Sequence, residues 1–228
     1  QALMECSGVK DGFINSSTIG FQLAPRINAA GRLKQATDVI DLFHAKDIAS
    51  ARVIANQLDL LNGERRKIER ELVMRCRASL PSDMPNFVLM AGHEQQGWHR
   101  GVVGIVAGRV RDLCHRSAAV VSICGNSARG SVRTTVGVNA VEALTSAQKL
   151  LRNYGGHAAA AGFDVAPENI DALREHLDDY VGSLLSQEQM IPTLDLRAQC
   201  SPDDVSLQMA NSLAQLGPFG KDNPVPLF

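Results

Sequence analysis

Residues 87–124 read FVLMAGHEQQGWHRGVVGIVAGRVRDLCHRSAAVVSIC, and this stretch decides the fold class. Its two short apolar runs, 87–91 and 118–124, have the length and composition of buried strands. The segment 101–116 between them is longer and rich in small apolar residues, and we predict a helix there. A strand, a helix and a second strand in succession are the basic unit of an α/β domain.

The alternation continues downstream of this unit. A glycine-containing turn at 125–127 leads into a further predicted strand over 128–134, so the two strands around the turn are expected to form a hairpin. Helices are predicted over 139–151 and 167–185 with a strand between them, and the second helix opens with a proline in its first turn. We therefore expect an α/β domain over residues 81–186.

A long helix is predicted ahead of this domain, over residues 47–80. Apolar residues recur there at steps of three and four from Ala51 to Leu72, which is the period of one helix face. Pro81 then ends the pattern. Beyond the domain, residues 187–228 contain one more apolar stretch and a run rich in glycine and proline, which is too little to close a domain.

The composition restricts the functional class. The 228 residues carry a net charge of −1, which argues against a general polyanion-binding surface, so any contact with nucleic acid has to be local. No apolar run approaches the roughly 20 residues that span a bilayer, and the first residues lack a secretory pattern, so we expect a cytoplasmic protein without a membrane partner. The five cysteines are widely spaced, which favours reduced thiols over a zinc site.

The sharpest local motif is GGHAAAAG at residues 155–162. Gly155 and Gly156 permit positive φ and, because they lack Cβ, let a ligand reach backbone N–H groups that can hold an anion. His157 follows directly and would add a hydrogen bond or a charge. The alternative is a glycine helix cap followed by a strand of small residues, with His157 buried in the core.

A second motif is ARGSVRT at residues 128–134. Because successive side chains of a strand alternate between its faces, Arg129, Ser131 and Arg133 would share one face. Two guanidinium groups with a hydroxyl between them suit phosphate oxygens. The alternative is an edge strand whose charges keep it soluble.

A third motif is QGWHRGVVG at residues 96–104, which leads into a predicted helix. The first N–H groups of a helix favour anions, and His99 and Arg100 would extend such a site. Trp98 is the only tryptophan and could stack on a base, although a lone tryptophan more often belongs to the core.

A fourth motif is APRINAAGR at residues 24–32. It places Arg26, Asn28 and Arg32 among small residues. Two interpretations stay open from the residues alone: a second polar cradle, or a loop whose two arginines are solvated.

Patterns typical of a catalytic metal centre are missing from the sequence. There is no His-Glu-x-x-His segment, no Asp-x-Asp cluster and no pair of histidines spaced to share a metal ion. The glycine spacing matches neither a Walker A loop nor a dinucleotide fingerprint, which argues against ATP and NAD. We therefore predict no catalytic residue and no metal ligand in this chain.

Taken in order, these segments resemble the RecJ family of single-strand-specific exonucleases in the DHH phosphoesterase superfamily. Residues 25–32 look like the end of the family's DHH domain, and 47–77 are similar to its long connecting helix, including LLNGER at 60–65. The stretches WHRGVVGIV, GSVR and GGHAAAAG match successive motifs of its DHHA1 domain. The run LGPFG at 216–220 resembles the lead-in to its OB-fold.

The resemblance implies an α/β fold in which a DHHA1-type domain is joined by a long helix to the end of a DHH domain. The expected segments are the end of the DHH domain over 1–46, the connecting helix over 47–80, the DHHA1 domain over 81–186 and the lead-in to a truncated OB-fold region over 187–228.

The resemblance also implies a function. The family hydrolyses single-stranded DNA from the 5′ end with Mn²⁺ or Mg²⁺ and acts in DNA repair and recombination, with single-strand-binding protein and a helicase as further partners. Its metal ligands lie upstream of the segments matched here, so this chain would bind the strand, hold no metal and be inactive alone. Two alternatives stay open: a non-catalytic nucleic-acid-binding module, and an oligoribonuclease or nucleotide phosphatase of the same superfamily.

Carried over residue by residue, the resemblance assigns contacts to phosphate and sugar from two sides of a groove. Thr134 stands where the family commonly has serine, a departure that should not abolish phosphate binding. The expected binding residues are Asn28 and Arg32 on one side and His99, Arg129, Ser131, Arg133, Gly155, Gly156 and His157 on the other.

Overall fold

The computed structural model describes residues 1–9, 14–220 and 222–228. They form two compact units, one made of Gln1–Asn62 with Thr193–Phe228 and the other of Gly63–Pro192. The described residues contain eight α-helices: α1 Ala2–Ser7, α2 Ala24–Leu33, α3 Thr37–His44, α4 Ile48–Ala78, α5 Val103–Cys114, α6 Ala140–Ser146, α7 Ile170–Leu184 and α8 Leu207–Ala214. Among these helices none is both long and apolar enough to cross a membrane.

A mixed five-stranded sheet is the centre of the second unit. β1 and β2 are parallel, every other neighbouring pair is antiparallel, and the order across the sheet is β1-β2-β3-β5-β4. The strands are β1 Phe87–His93, β2 Ser117–Cys124, β3 Ser127–Arg133, β4 Leu151–His157 and β5 Ala160–Val165. The α/β fold class predicted from the alternation is confirmed.

The two faces of this sheet are covered differently. On one face, α6 and α7 enclose the main core, where Phe87, Val132 and Phe163 of the strands meet Leu144 of α6 and Leu177 of α7. On the other face, α5 packs against β2 and β3. The part of this second face formed by β5 and β4 keeps exposed residues at Gly162, Gly155 and His157.

The long helix α4 runs from the first unit into the second, as the three- and four-residue spacing predicted. In its first half, Leu58 and Leu61 pack against Ala29 and Ala30 of α2. In its second half, Glu69 lies 2.5 Å from Arg65 and 3.5 Å from Arg109 of α5. Arg65 and Glu69 are both largely removed from solvent. Some of the charged residues in the second half of α4 are therefore packed rather than solvated.

One strand was missing from the sequence prediction. The helix expected over 139–151 ends at Ser146, a single 3₁₀ turn follows at Gln148–Leu150, and β4 begins at Leu151. The segment LRNYGGH has little of the β-branched and aromatic character that marks strands. β4 lies at the edge of the sheet with one partner strand, so it needs only one good pairing surface and no apolar sequence of its own.

Candidate nucleic-acid interface

β3 carries three of the predicted binding residues. Arg129, Ser131 and Arg133 alternate with buried residues of the same strand, as the two-residue period predicted. β3 pairs with β2 on one side and with β5 on the other, so the alternative of a solvated edge strand is wrong. The three side chains lie on the face of the sheet that carries α5.

The registers of β3, β5 and β4 extend this surface across three strands. Side chains in directly opposed positions share a face, and adjacent strands are about 4.8 Å apart, so β3 and β4 lie roughly 10 Å from one another. Gly162 and Ala160 of β5 have small side chains, so they fill little of the space between β3 and β4. We call this surface the open face; its three rows are Arg129–Asp164–Asn153, Ser131–Gly162–Gly155 and Arg133–Ala160–His157.

The glycine-histidine motif forms the β4–β5 hairpin and places His157 at the surface. His157 is exposed and Gly155 and Gly156 lie inside β4, so the alternative of a helix cap with a buried histidine is wrong. Gly156 has φ +154°, and a Cβ there would lie 2.4 Å from the carbonyl oxygen of Ala160. A Cβ on Gly155 would meet no atom within 4 Å. Gly156 is therefore required by the hairpin, whereas Gly155 leaves open space.

Thr134 anchors the turn of this hairpin. Its hydroxyl donates a hydrogen bond to the carbonyl of Ala158 at 3.0 Å, and its N–H donates to the carbonyl of Ala159 at 3.2 Å. The N–H of Ala140 also donates to the Ala158 carbonyl, at 2.7 Å. Sequence reasoning missed this role; the signal was the substitution of threonine for serine, which keeps the hydroxyl.

Arg133 lies beside the first turns of α5. Its Nη1 donates to Ser131 Oγ at 2.9 Å and to the carbonyl of Val132 at 2.7 Å. A Cβ on Gly104 of α5 would lie 3.1 Å from Ser131 Oγ and 3.2 Å from Arg133 Nη2. The glycine therefore makes room for both side chains against the helix backbone.

Arg129, in the next row but one, is held in a different way. Its Nε lies 3.0 Å from Oδ1 of Asp164, in an ion pair whose arginine side chain is 64% exposed. The carboxylate neutralises much of the charge that Arg129 brings to the surface.

His99 lies in the turns that lead into α5. Its Nδ1 accepts a hydrogen bond from the N–H of Gly101 at 3.1 Å, and its carbonyl accepts from the N–H groups of Val102 and Val103 at 2.9 and 3.2 Å. Of these three N–H groups, that of Val103 belongs to α5, and the N-cap residue Val102 makes no side-chain cap hydrogen bond. The bonds give His99 a role in the local turn, and its contact with nucleic acid stays a prediction.

Trp98 packs on the backbone of β1. A Cβ on Gly92 would lie 2.3 Å from the indole ring, so the ring covers this glycine. Trp98 is half-buried in this position. The packing favours the interpretation of Trp98 as a structural residue rather than a platform for a base.

The motif at residues 24–32 forms α2 in the first unit, so its interpretation as a loop was wrong. Arg26 is not solvated either: it is buried, with Nε 2.8 Å from Oδ1 of Asp59 in α4. Asn28 is exposed and Arg32 is half-buried. Residues four apart share one face of a helix, so these two predicted residues lie on the same side of α2.

The cysteines of the described residues are unpaired thiols, and two of them are buried. All five cysteines are free, and burial raises the pKa of the Cys76 thiol to about 11 and also raises that of Cys114. These two thiols therefore stay protonated and are poor nucleophiles. Over residues 1–9, 14–220 and 222–228, no three His, Cys, Asp or Glu side chains come together to hold a metal ion, so these residues do not fit a metal centre.

Part of the second unit is similar to a known domain family. Residues 84–183 match the DHHA1 domain family. The open face lies within the matched residues, because β3, β4 and β5 all belong to that range.

The matched residues and their flanking segments are together similar to RecJ. The chain is 34% identical to the single-stranded-DNA-specific exonuclease RecJ of Bacillus subtilis over 98% of this chain and 29% of that protein. For the protein of the same name from Dickeya dadantii the identity is 33%, over 100% of this chain and 41% of the relative. The resemblance to RecJ is therefore confirmed, and the chain spans less than half the length of these relatives.

Solved structures show the same relationship. RecJ of Thermus thermophilus in complex with Mg²⁺ has a TM-score of 0.86 and 30% identity, covering 99% of this chain and 34% of that chain. The complex of the same protein with Mn²⁺ gives the same TM-score and identity, with 33% of that chain covered. The fold thus matches the C-terminal region of RecJ that contains the DHHA1 domain.

Proposed function

We propose that this chain is the strand-binding portion of a 5′-to-3′ single-stranded-DNA exonuclease, and that the DNA backbone lies along the open face. The observation that carries the proposal is the row Arg133–Ala160–His157 beside Ser131, on a DHHA1 domain whose relatives are named single-stranded-DNA-specific exonucleases. A cation, a hydroxyl and an imidazole surround a floor of small residues there.

The chemistry of this row suits a phosphodiester. The Arg133 guanidinium and the Ser131 hydroxyl are adjacent donors, and a planar guanidinium can give paired hydrogen bonds to two phosphate oxygens. The bare backbone of Gly155 and Gly162 lets a sugar or phosphate come closer than any side chain would. His157, at the end of β4, would donate a hydrogen bond to the phosphodiester from the opposite side of the open face.

The remaining residues extend the contact. Asn28 and Arg32 share one side of α2 and are proposed as a second group of backbone contacts. His99 and Arg129 are proposed as peripheral nucleic-acid contacts of the first group, Arg129 without a phosphate because it pairs with Asp164. Gly156 contributes by shaping the hairpin that presents His157, since a side chain there would collide with Ala160.

The activity of the whole protein is part of the same proposal. The relatives are exonucleases, and the Thermus protein has been solved with Mg²⁺ and with Mn²⁺, which supports a metal-dependent phosphodiesterase. We propose a cytoplasmic role in DNA repair and recombination, with single-strand-binding protein and a helicase as partners. The chain itself is proposed to be inactive, and release of nucleotides by the purified chain with Mn²⁺ would contradict this.

Removal of Arg133 tests the binding surface. Arg133→Ala should weaken binding of a labelled single strand by roughly 1–3 kcal/mol and reduce the salt dependence of binding by about one ion, because one phosphate contact is lost. Fluorescence anisotropy at several salt concentrations measures both quantities. Arg111→Ala is the control, since Arg111 also lies in the DHHA1 domain but pairs with its neighbour Asp112 near the end of α5. An unchanged salt slope in Arg133→Ala would contradict the proposed contact.

A further inference from the structure

A shallow pocket of about 300 Å³ lies on the open face, at the end away from Arg133. Its lining includes the polar residues Arg129, Asn153, Tyr154 and Asp164, together with Gly155 and Gly162. The volume is at the lower end of the range for small-molecule pockets, which suits one planar ring rather than a whole nucleotide. None of the motifs that predicted phosphate contacts includes Asn153 or Asp164.

The charges of this pocket do not suit a phosphate. Oδ1 of Asp164 lies 3.0 Å from Nε of Arg129, so the cation is already paired, and a phosphate placed there would approach a carboxylate of the same sign. The pocket offers instead a donor and an acceptor side by side. Asn153, directly opposite Asp164 in the register, adds an amide that can do both.

We propose, on the basis of the proposed function, that this pocket holds the Watson–Crick edge of a nucleobase. Every base presents a donor next to an acceptor on that edge: an amino group beside a ring nitrogen in adenine and cytosine, and an N–H beside a carbonyl in guanine and thymine. Arg129 donates to the acceptor of the base, and Asp164 accepts from its donor. The pair detects that a base is present without distinguishing which one.

The geometry of the sheet connects this pocket to the phosphate contacts. Rows on one face of a strand are about 6.7 Å apart, so the Arg129 row lies roughly 13 Å from the Arg133 row. The Ser131–Gly162–Gly155 row between them has glycine on two of its three strands, which keeps the path open. A DNA chain with one phosphate at Arg133 can therefore place a base of the same or the next nucleotide in the pocket.

The test compares a normal strand with one that lacks bases. Binding of a thymine homopolymer and of an abasic deoxyribose-phosphate strand of equal length is measured by anisotropy for the wild-type chain, Asn153→Ala, Asp164→Ala and Arg133→Ala. The ratio of the two affinities should fall about threefold to tenfold in Asn153→Ala and Asp164→Ala, because these variants lose contacts made only to bases. Arg133→Ala should weaken both strands equally.

The outcomes separate this inference from the proposed function. If Asp164→Ala binds the thymine strand and the abasic strand more tightly by the same factor, Asp164 merely neutralises Arg129 and the base pocket is refuted. If Asn153→Ala leaves the affinity ratio unchanged, the inference is likewise overturned, and because Asn153 is exposed this variant should fold normally. Absence of binding to any strand by the wild-type chain would overturn the proposed function and the pocket together. A wild-type preference of more than about tenfold between thymine and cytosine strands would contradict recognition without discrimination.

Discussion

α2 and β3 both contain two arginines among small residues, but the surroundings of these arginines differ. In α2, Arg26 is buried against α4 and its Nε lies 2.8 Å from Asp59, while Nη1 donates to the carbonyl of Gln22 at 2.5 Å. On the open face, Arg129 also pairs with a carboxylate, that of Asp164 at 3.0 Å, but its side chain is 64% exposed. A buried guanidinium has to be paired to offset its lost hydration, whereas an exposed one keeps water and remains open to ligands.

The difference teaches that the neighbours of an arginine decide its role. Both motifs suggested a phosphate cradle, because each has two arginines close to glycine or alanine. Among the described residues, β3 lies in one sheet with β5 and β4, where Gly162 and Gly155 are exposed. The contrast therefore predicts structural effects for changes in α2 and functional effects for changes on β3.

The largest effect is expected at Gly156, which shapes the open face. Gly156→Ala should lower the free energy of unfolding by about 2–4 kcal/mol, because its Cβ would overlap the Ala160 carbonyl oxygen and Ala161 Cα at 2.4 and 2.5 Å. Urea denaturation measures the change. Gly155→Ala is the matched control, with no atom within 4 Å of its Cβ, and should stay within about 1 kcal/mol of the wild type. Equal stability of the two variants would contradict the hairpin geometry.

A smaller loss is expected in α2. Arg26→Ala should destabilise the chain by about 1–3 kcal/mol, less than for a fully buried pair, because the Asp59 side chain left behind is 41% exposed and can be hydrated. Arg52→Ala, which breaks an exposed pair with Glu5, should change stability far less. Arg133→Ala should cost less than Arg26→Ala, because Arg133 is half-buried whereas Arg26 is buried. If it destabilised the chain as much as Arg26→Ala, the contrast between the two arginine clusters would fail.

The smallest effect is expected at Thr134, which is hydrogen-bonded to the turn of the β4–β5 hairpin. Thr134→Val removes the hydroxyl that donates to Ala158 and should cost about 0.5–1.5 kcal/mol. The cost stays modest because the Ala158 carbonyl keeps its hydrogen bond from the N–H of Ala140. Thr134→Ser retains the hydroxyl and should stay closer to the wild type than Thr134→Val in the same denaturation assay. The same loss in both variants would show that the methyl group of Thr134, not its hydroxyl, stabilises the turn.

Much of the fold could be predicted from local patterns. The buried strands β1 and β2 appear as continuous apolar runs, and α4 appears through its three- and four-residue spacing, because each element has to bury a defined face. β4 could not be found in this way. Its sequence is polar and glycine-rich, and it is a strand only because β5 pairs with it.

The candidate site was partly predictable for the same reason. The alternation of Arg129, Ser131 and Arg133 on one face follows from the pleat of any strand. Asp164 and Asn153 could not be connected with Arg129, since they lie 35 and 24 residues away in sequence and meet it only through the register of β3, β5 and β4. The hydrogen bonds that His99 makes in the turns before α5 were likewise invisible, because the same residues ahead of a helix would equally suit an anion.

The sequence by itself determined the α/β class, the long helix, the resemblance to RecJ and the alternation of β3, because periodicity and ordered motifs are local properties of the chain. The tertiary structure alone decided which charges are buried and which are exposed. It placed Arg26 against Asp59 and left the open face uncovered, since burial and strand register depend on segments distant in sequence. Whether a given arginine stabilises the fold or can meet a ligand is therefore settled by packing, not by the motif that contains it.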